Sequence, residues 1–241
     1  MKKLITTFKI KSKLDIRSTD LLITNYLVPI IFFFVMGAVF SSIMPESKQT
    51  LIASMSIFAI TMGSTIGISA SVAEYFKNDI RKTLVVSKIP FSSIIITTIV
   101  SGFIHLFIVS MFITLLAPIL YDAVPIESFA VYLGSLSLSI VITVMLGIII
   151  GLIAKNTAQL TIFAQLVFLP SMMLSGIMFP SSLLPSILRR IGSILPATIS
   201  MKLLTSESMH LDTIIPLFVM LMVFIVLIFF LLRRLKLEDS K

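Results

Sequence analysis

Six apolar runs, each close to the roughly twenty residues a helix needs to cross a bilayer, constrain this chain more than any other feature. They cover Leu22–Ile43, Leu51–Ala73, Phe91–Leu120, Phe129–Ala154, Leu160–Phe179 and Thr213–Leu232. Lipid offers no partner to a backbone N–H or C=O, so such runs close their own hydrogen bonds as helices. The predicted fold class is all-α, a polytopic membrane protein with a single transmembrane domain over residues 1–241. The third run is long enough to tilt or to break, and Pro118 marks the place for a break. Charged residues make up 12 % of the chain, against about 25 % in a soluble domain. No cysteine is present, which excludes disulfides and thiolate metal sites. The first run is too long for a typical cleaved signal segment and is expected to be retained.

A net charge of +8 would point to nucleic acid in a soluble protein. Here its distribution reads as topology. Fifteen of the nineteen Lys and Arg residues lie before the first run, after the second, after the fourth and after the last. Lys48, Arg189, Arg190 and Lys202 lie on the other side. The basic side is the cytoplasm, so both termini are expected inside the cell membrane. Within residues 1–20, the segment Lys2–Arg17 wound as a helix gathers Leu4, Ile5, Phe8 and Ile16 on one side, with Lys9, Lys13 and Arg17 opposite. That pattern predicts an interfacial helix with its lysines near anionic headgroups. Membrane lipid is thus an expected partner and nucleic acid is not.

The stretch from Met172 to Leu204 begins as a span and then breaks up. Pro180, Pro185 and Pro196 punctuate it, and Gly176 and Gly192 add flexible points. Between the prolines the residues stay apolar, so the pieces are too short to cross a bilayer and too greasy for water. Short re-entrant helices over residues 176–200 satisfy both constraints where their backbone is buried or lines a wet cavity.

Candidate chemistry is sparse. No Gly-x-x-x-x-Gly-Lys-Ser/Thr loop occurs, so any use of ATP would need a separate ATPase chain. Metal ligands and catalytic groups are not expected: His105 and His210 are the only histidines, and neither has a carboxylate cluster around it. His105, within the third run, is read as an interhelical hydrogen-bond partner or a residue near a wet cavity. Ser175-Gly176 matches only the end of an intramembrane protease motif, because Met173 stands where its first glycine would be. The polar residues of the spans are hydroxyls and amides. Those in the second and fourth runs suit close helix packing. Ser64, Thr65, Ser137 and Gln165 are also candidates for a mildly polar translocation wall.

The connection over residues 74–90 is the best candidate for docking a soluble protein. Phe76, Ile80 and Leu84 recur every four residues as one helical stripe, and Glu74, Lys77, Arg81 and Lys82 cover much of the rest. Pro90 ends the helix. A short helix of this kind fits a groove on a partner.

These features resemble the membrane permeases of the ABC type 2 family. The resemblance rests on the amphipathic first helix and on the connection that starts at Glu74. It rests most specifically on Leu174-Ser-Gly-Ile-Met-Phe-Pro180, followed by Leu184-Pro185 and Leu195-Pro196. Asn78-Asp79-Ile80 stands where that family often has Gly-Thr-Leu. The resemblance implies a transport subunit that is not itself an enzyme, paired with a second permease copy or a sister permease. It also implies a partner ATPase subunit, which binds ATP and Mg²⁺ and meets Glu74, Phe76, Ile80, Arg81 and Leu84. Gly176, Pro180, Pro185 and Pro196 would form an outer gate. The cargo classes it allows are drugs, peptides, lipids and polysaccharides. The alternative is a membrane protein working without ATP, either an immunity or resistance factor or a secondary transporter.

Overall fold

The computed structural model describes residues 2–77, 80, 86, 90–206 and 211–238. These residues are almost entirely helical, with no strand among them. Helix α1 is Lys2–Arg17, and six long helices follow that are apolar enough to cross a membrane. They are α2 (Thr19–Ile43), α3 (Leu51–Phe76), α4 (Phe91–Tyr121), α5 (Phe129–Ile153), α6 (Thr157–Leu174) and α9 (Leu211–Glu238). Two short helices, α7 (Ser186–Gly192) and α8 (Pro196–Leu204), stand between α6 and α9. The all-α polytopic fold read from the sequence is what the structure contains.

Two boundaries differ from expectation. Pro118 does not break α4, which runs to Tyr121 and ends on Asp122 in the left-handed region at φ 50°. Pro118 lies within the last turn, where a missing N–H and a local bend are tolerated. The fifth span ends at Leu174 rather than near Phe179. Gly176 takes φ +85°, a backbone state that stops a right-handed helix.

The spans are not arranged as equals. Helix α3 is the axis, with 89 % of its most apolar stretch buried, and α2, α4, α5, α6 and α8 surround it. Its contact with α5 is close. A Cβ at Gly147 would land on the Ser64 carbonyl oxygen, far inside contact distance. Glycine at 147 is what lets the two backbones meet there. Three spans are also joined by one side chain: the buried Tyr132 hydroxyl on α5 lies 3.1 Å from Ser56 Oγ on α3 and 2.8 Å from Thr114 Oγ1 on α4. Helix α9 touches mainly α5 and α8, and only 11 % of its most apolar stretch is buried.

The connections gather at two ends. At one end, the turn Pro45–Gln49 between α2 and α3 meets the α4–α5 loop, where Val124 N donates to Lys48 O (3.1 Å). The α6–α9 segment closes over this same end. Helix α1 lies at the opposite end, against α4 and the start of α2.

Candidate functional site

Three regions carry the polar chemistry of the bundle: the α1 end, the outward face of α6, and the Lys48 end.

At the α1 end, helix α1 turns Lys11 and Asp15 onto the bundle, each about 5 % exposed or less, while Leu14 and Ile16 face outward at 50 % and 61 %. Spacing of four residues lets Lys11 Nζ reach Asp15 Oδ1 at 3.1 Å. The pair is then anchored to two spans. Lys11 Nζ donates to Ser71 Oγ on α3 (3.3 Å), and Ser101 Oγ on α4 donates to Asp15 Oδ2 (2.5 Å). The ammonium also sits 5.0 Å from the centroid of the Tyr75 ring. Burial pushes the Lys11 ammonium below the usual lysine range, and the Asp15 carboxylate opposes that. Sequence reading placed the α1 lysines in the headgroups and missed this pair. The signal was there: Lys11 and Asp15 share one helix face with Phe8.

Asn25 lies one step deeper. It sits in a π turn of α2 (Ile23–Leu27), fully buried, and neither amide atom has a hydrogen-bond partner among the described residues. It lies against α3 at Gly67, within a second π turn (Gly63–Ile68). Single π turns inside α-helices are rare and frequently lie at functional sites. Nearby, the Tyr26 hydroxyl and His105 Nδ1 are 2.6 Å apart, joining α2 to α4, as the interhelical reading of His105 expected.

The docking candidates divide. Glu74 is exposed at the end of α3, and Ile80 is 37 % exposed. Both line an open groove of about 530 Å³ together with Leu14, Arg17, Asp20 and Tyr75. Phe76 is turned the other way, 2 % exposed, its ring edge-on to Phe91 with centroids 5.3 Å apart. It anchors the end of α3 to the start of α4 and offers no surface to a partner. Arg81 and Leu84 lie outside the described residues.

The four path candidates also part company. Ser64 and Thr65 are buried in the α3–α5 seam, where Thr65 Oγ1 donates to Thr61 O (2.7 Å) and Ser64 Oγ has no partner among the described residues. Ser137 is half-buried on α5. Gln165 stands at the middle of α6 and is exposed, on a face it shares with Thr161, Ile162, Leu166 and Leu169.

At the Lys48 end, Gly176 and Pro180 line an open cavity of about 610 Å³, bordered by the end of α2, the start of α3 and helix α8. Pro185 starts α7 and is exposed; Pro196 starts α8 and is buried. Arg189 Nη2 donates to the carbonyls of Ser182 (3.2 Å) and Leu184 (3.1 Å), which holds the proline-rich turn together. Among the described residues no group of His, Cys, Asp and Glu is placed to hold a metal ion.

No curated protein and no solved structure matches the chain. A family profile does: that of the ABC-2 type transporter, over residues 3–207, from the first turn of α1 through α8. The match spans α1, five of the six long helices and both short helices, so the chain belongs to the ABC-2 type transporter family and is a multi-pass membrane transport component.

Proposed function

We propose that this chain is the permease half of an ATP-driven exporter, working as two permease copies with a separate ABC ATPase. The observation that carries the reading is Gln165. An amide exposed at the middle of a membrane helix has no hydrogen-bond partner in lipid, at a cost of several kcal/mol. Water in a path or a second permease removes that cost, so the Gln165 face of α6 is read as the path wall at a permease–permease seam. Ser64 and Thr65 then serve the α3–α5 packing that supports the path, and Ser137 lies between the two roles.

By the distribution of basic residues, the α1 end faces the cytoplasm and both termini are inside. The groove bearing Glu74 and Ile80 receives the ATPase, with Phe76 fixing its shape from behind. ATP and Mg²⁺ sit on the partner. Closure of the ATPase dimer pulls on this groove, and α3, the buried axis, carries the movement to the spans. The segment with Gly176, Pro180, Pro185 and Pro196 caps the exit. Drugs, peptides, lipids and polysaccharides remain the candidate cargoes.

Two experiments test this. A tagged permease purified in mild detergent should bring down a stoichiometric ATPase, and the double substitution Glu74→Lys with Ile80→Asp should release at least 90 % of it while the permease stays folded. Undiminished recovery of the ATPase would remove the groove as the docking site. Gln165→Leu should lower ATP-driven export about tenfold with the complex intact. Export at the normal rate would take α6 off the path.

A further inference from the structure

We propose that the cavity at the Lys48 end is a binding site for a single-chain zwitterionic lipid, a lysophospholipid, held within one copy of the chain. Its volume, about 610 Å³, falls in the range of pockets that enclose one drug-sized molecule. Its walls divide by chemistry as an amphiphile does. The apolar wall comes from Phe40 and Ile43 at the end of α2 and from Ile177, Met178 and Met201. Methionines are adaptable and polarizable, and they suit a flexible chain better than a rigid ring system.

The polar part carries charges of both signs. Glu46, in the turn after α2, and Lys202, on α8, both line the cavity, and both are exposed. Among the described residues neither is in an ion pair, whereas Lys48, two residues after Glu46, is engaged with Asp122 at 3.4 Å. A headgroup with an ammonium and a phosphate presents the complementary pair: the ammonium to Glu46, the phosphate to Lys202. A fatty acid or an alkylamine would leave one of the two unmatched.

Among the described residues, two buried hydroxyls of the cavity wall, Ser54 and Ser175, lack a good partner. Ser175 Oγ is 2 % exposed and has no hydrogen bond. Ser54 Oγ has only the Met201 sulfur at 3.9 Å. Buried hydroxyls normally find partners. The ester oxygens and the free hydroxyl of a lysophospholipid offer partners to these two hydroxyls of the cavity wall. Gly176, at φ +85°, shapes this wall by turning the chain away from α6 directly after Ser175. The site lies within one chain, so it does not depend on an ATPase, a second copy or the direction of transport.

The chain contains no tryptophan, so Phe179→Trp, on the exposed side of the cavity wall, places a single reporter there. The probe is lysophosphatidylcholine with a nitroxide on its chain, titrated into the full-length protein in nanodiscs. Saturable quenching is expected, and Glu46→Gln and Lys202→Gln should each weaken it about fivefold, as an exposed charge pair would. Both positions are exposed, so neither change threatens the fold. Quenching that rises in proportion to lipid and ignores both substitutions would be ordinary bilayer contact and would overturn the site. Equal affinity for a nitroxide fatty acid or alkylamine would overturn the zwitterionic assignment.

Discussion

Asp15→Ala is expected to be the most damaging single change in this protein, costing about 3–5 kcal/mol. The carboxylate is the partner that makes a buried Lys11 tolerable, and its removal leaves an ammonium 4 % exposed with one neutral hydroxyl, a ring face and the weaker attraction of Glu74. The loss is not the net worth of the ion pair. Taking both charges out of water costs about as much as their attraction returns, so an apolar pair of similar volume can do as well. Lys11→Met with Asp15→Leu is therefore expected to recover most of the stability that Asp15→Ala loses. A double-mutant cycle on thermal stability in detergent measures the coupling between the two positions. A cycle that closes additively would show that the pair does not hold α1 to α3 and α4. The same double variant separates stability from transport. It should fold, and it should export poorly if α1 must move with Ser71 and Ser101.

Gly147→Ala follows, through a different mechanism. Overpacking a closed interface costs about 1–3 kcal/mol, and more where the obstacle is backbone. Here the obstacle is the Ser64 carbonyl, which cannot rotate away as a side chain would. Relief would require α3 and α5 to part along their shared seam. Part of the damage is expected at Gly151 one turn on, where a Cβ would meet Ser69 O at 2.6 Å and Val72 Cβ at 2.7 Å. Ser137→Ala, half-buried on the same helix, should change stability by less than about 0.5 kcal/mol. The comparison is read as the loss of monodisperse protein on heating in detergent. Equal melting of the two variants would mean that α3 and α5 are not held at this distance.

The spans were legible because bilayer thickness acts on composition alone. A run of about twenty apolar residues is a helix in lipid whatever its neighbours, so their number and, within a few residues, most of their ends could be read off. The end of α6 could not, since Ile177–Phe179 is still apolar and the positive φ at Gly176 is what stops the helix. Which residues of the Phe76–Ile80 stripe are exposed was not legible. Four-residue spacing put Phe76 and Ile80 on one side of a helix, yet spacing does not say whether that side meets a partner or Phe91. The buried Lys11–Asp15 pair was passed over because a basic N-terminal segment is ordinarily solvated, and its partners are 60 and 86 residues away.

The sequence by itself determined the class, the six crossings and the distribution of charge between the two ends. What only the tertiary structure decided is which faces of those crossings are inside. Helices apolar on every side carry no stripe that marks the core. The most apolar of them, α9, is the least buried, and α3, richer in Ser, Thr and Gly, is the most buried. The reason is that lipid is as apolar as leucine, so hydrophobicity does not drive one span against another. Close approach and satisfied hydroxyls do, and both depend on the neighbour: on Gly147 finding Ser64, and on Tyr132 finding Ser56 and Thr114.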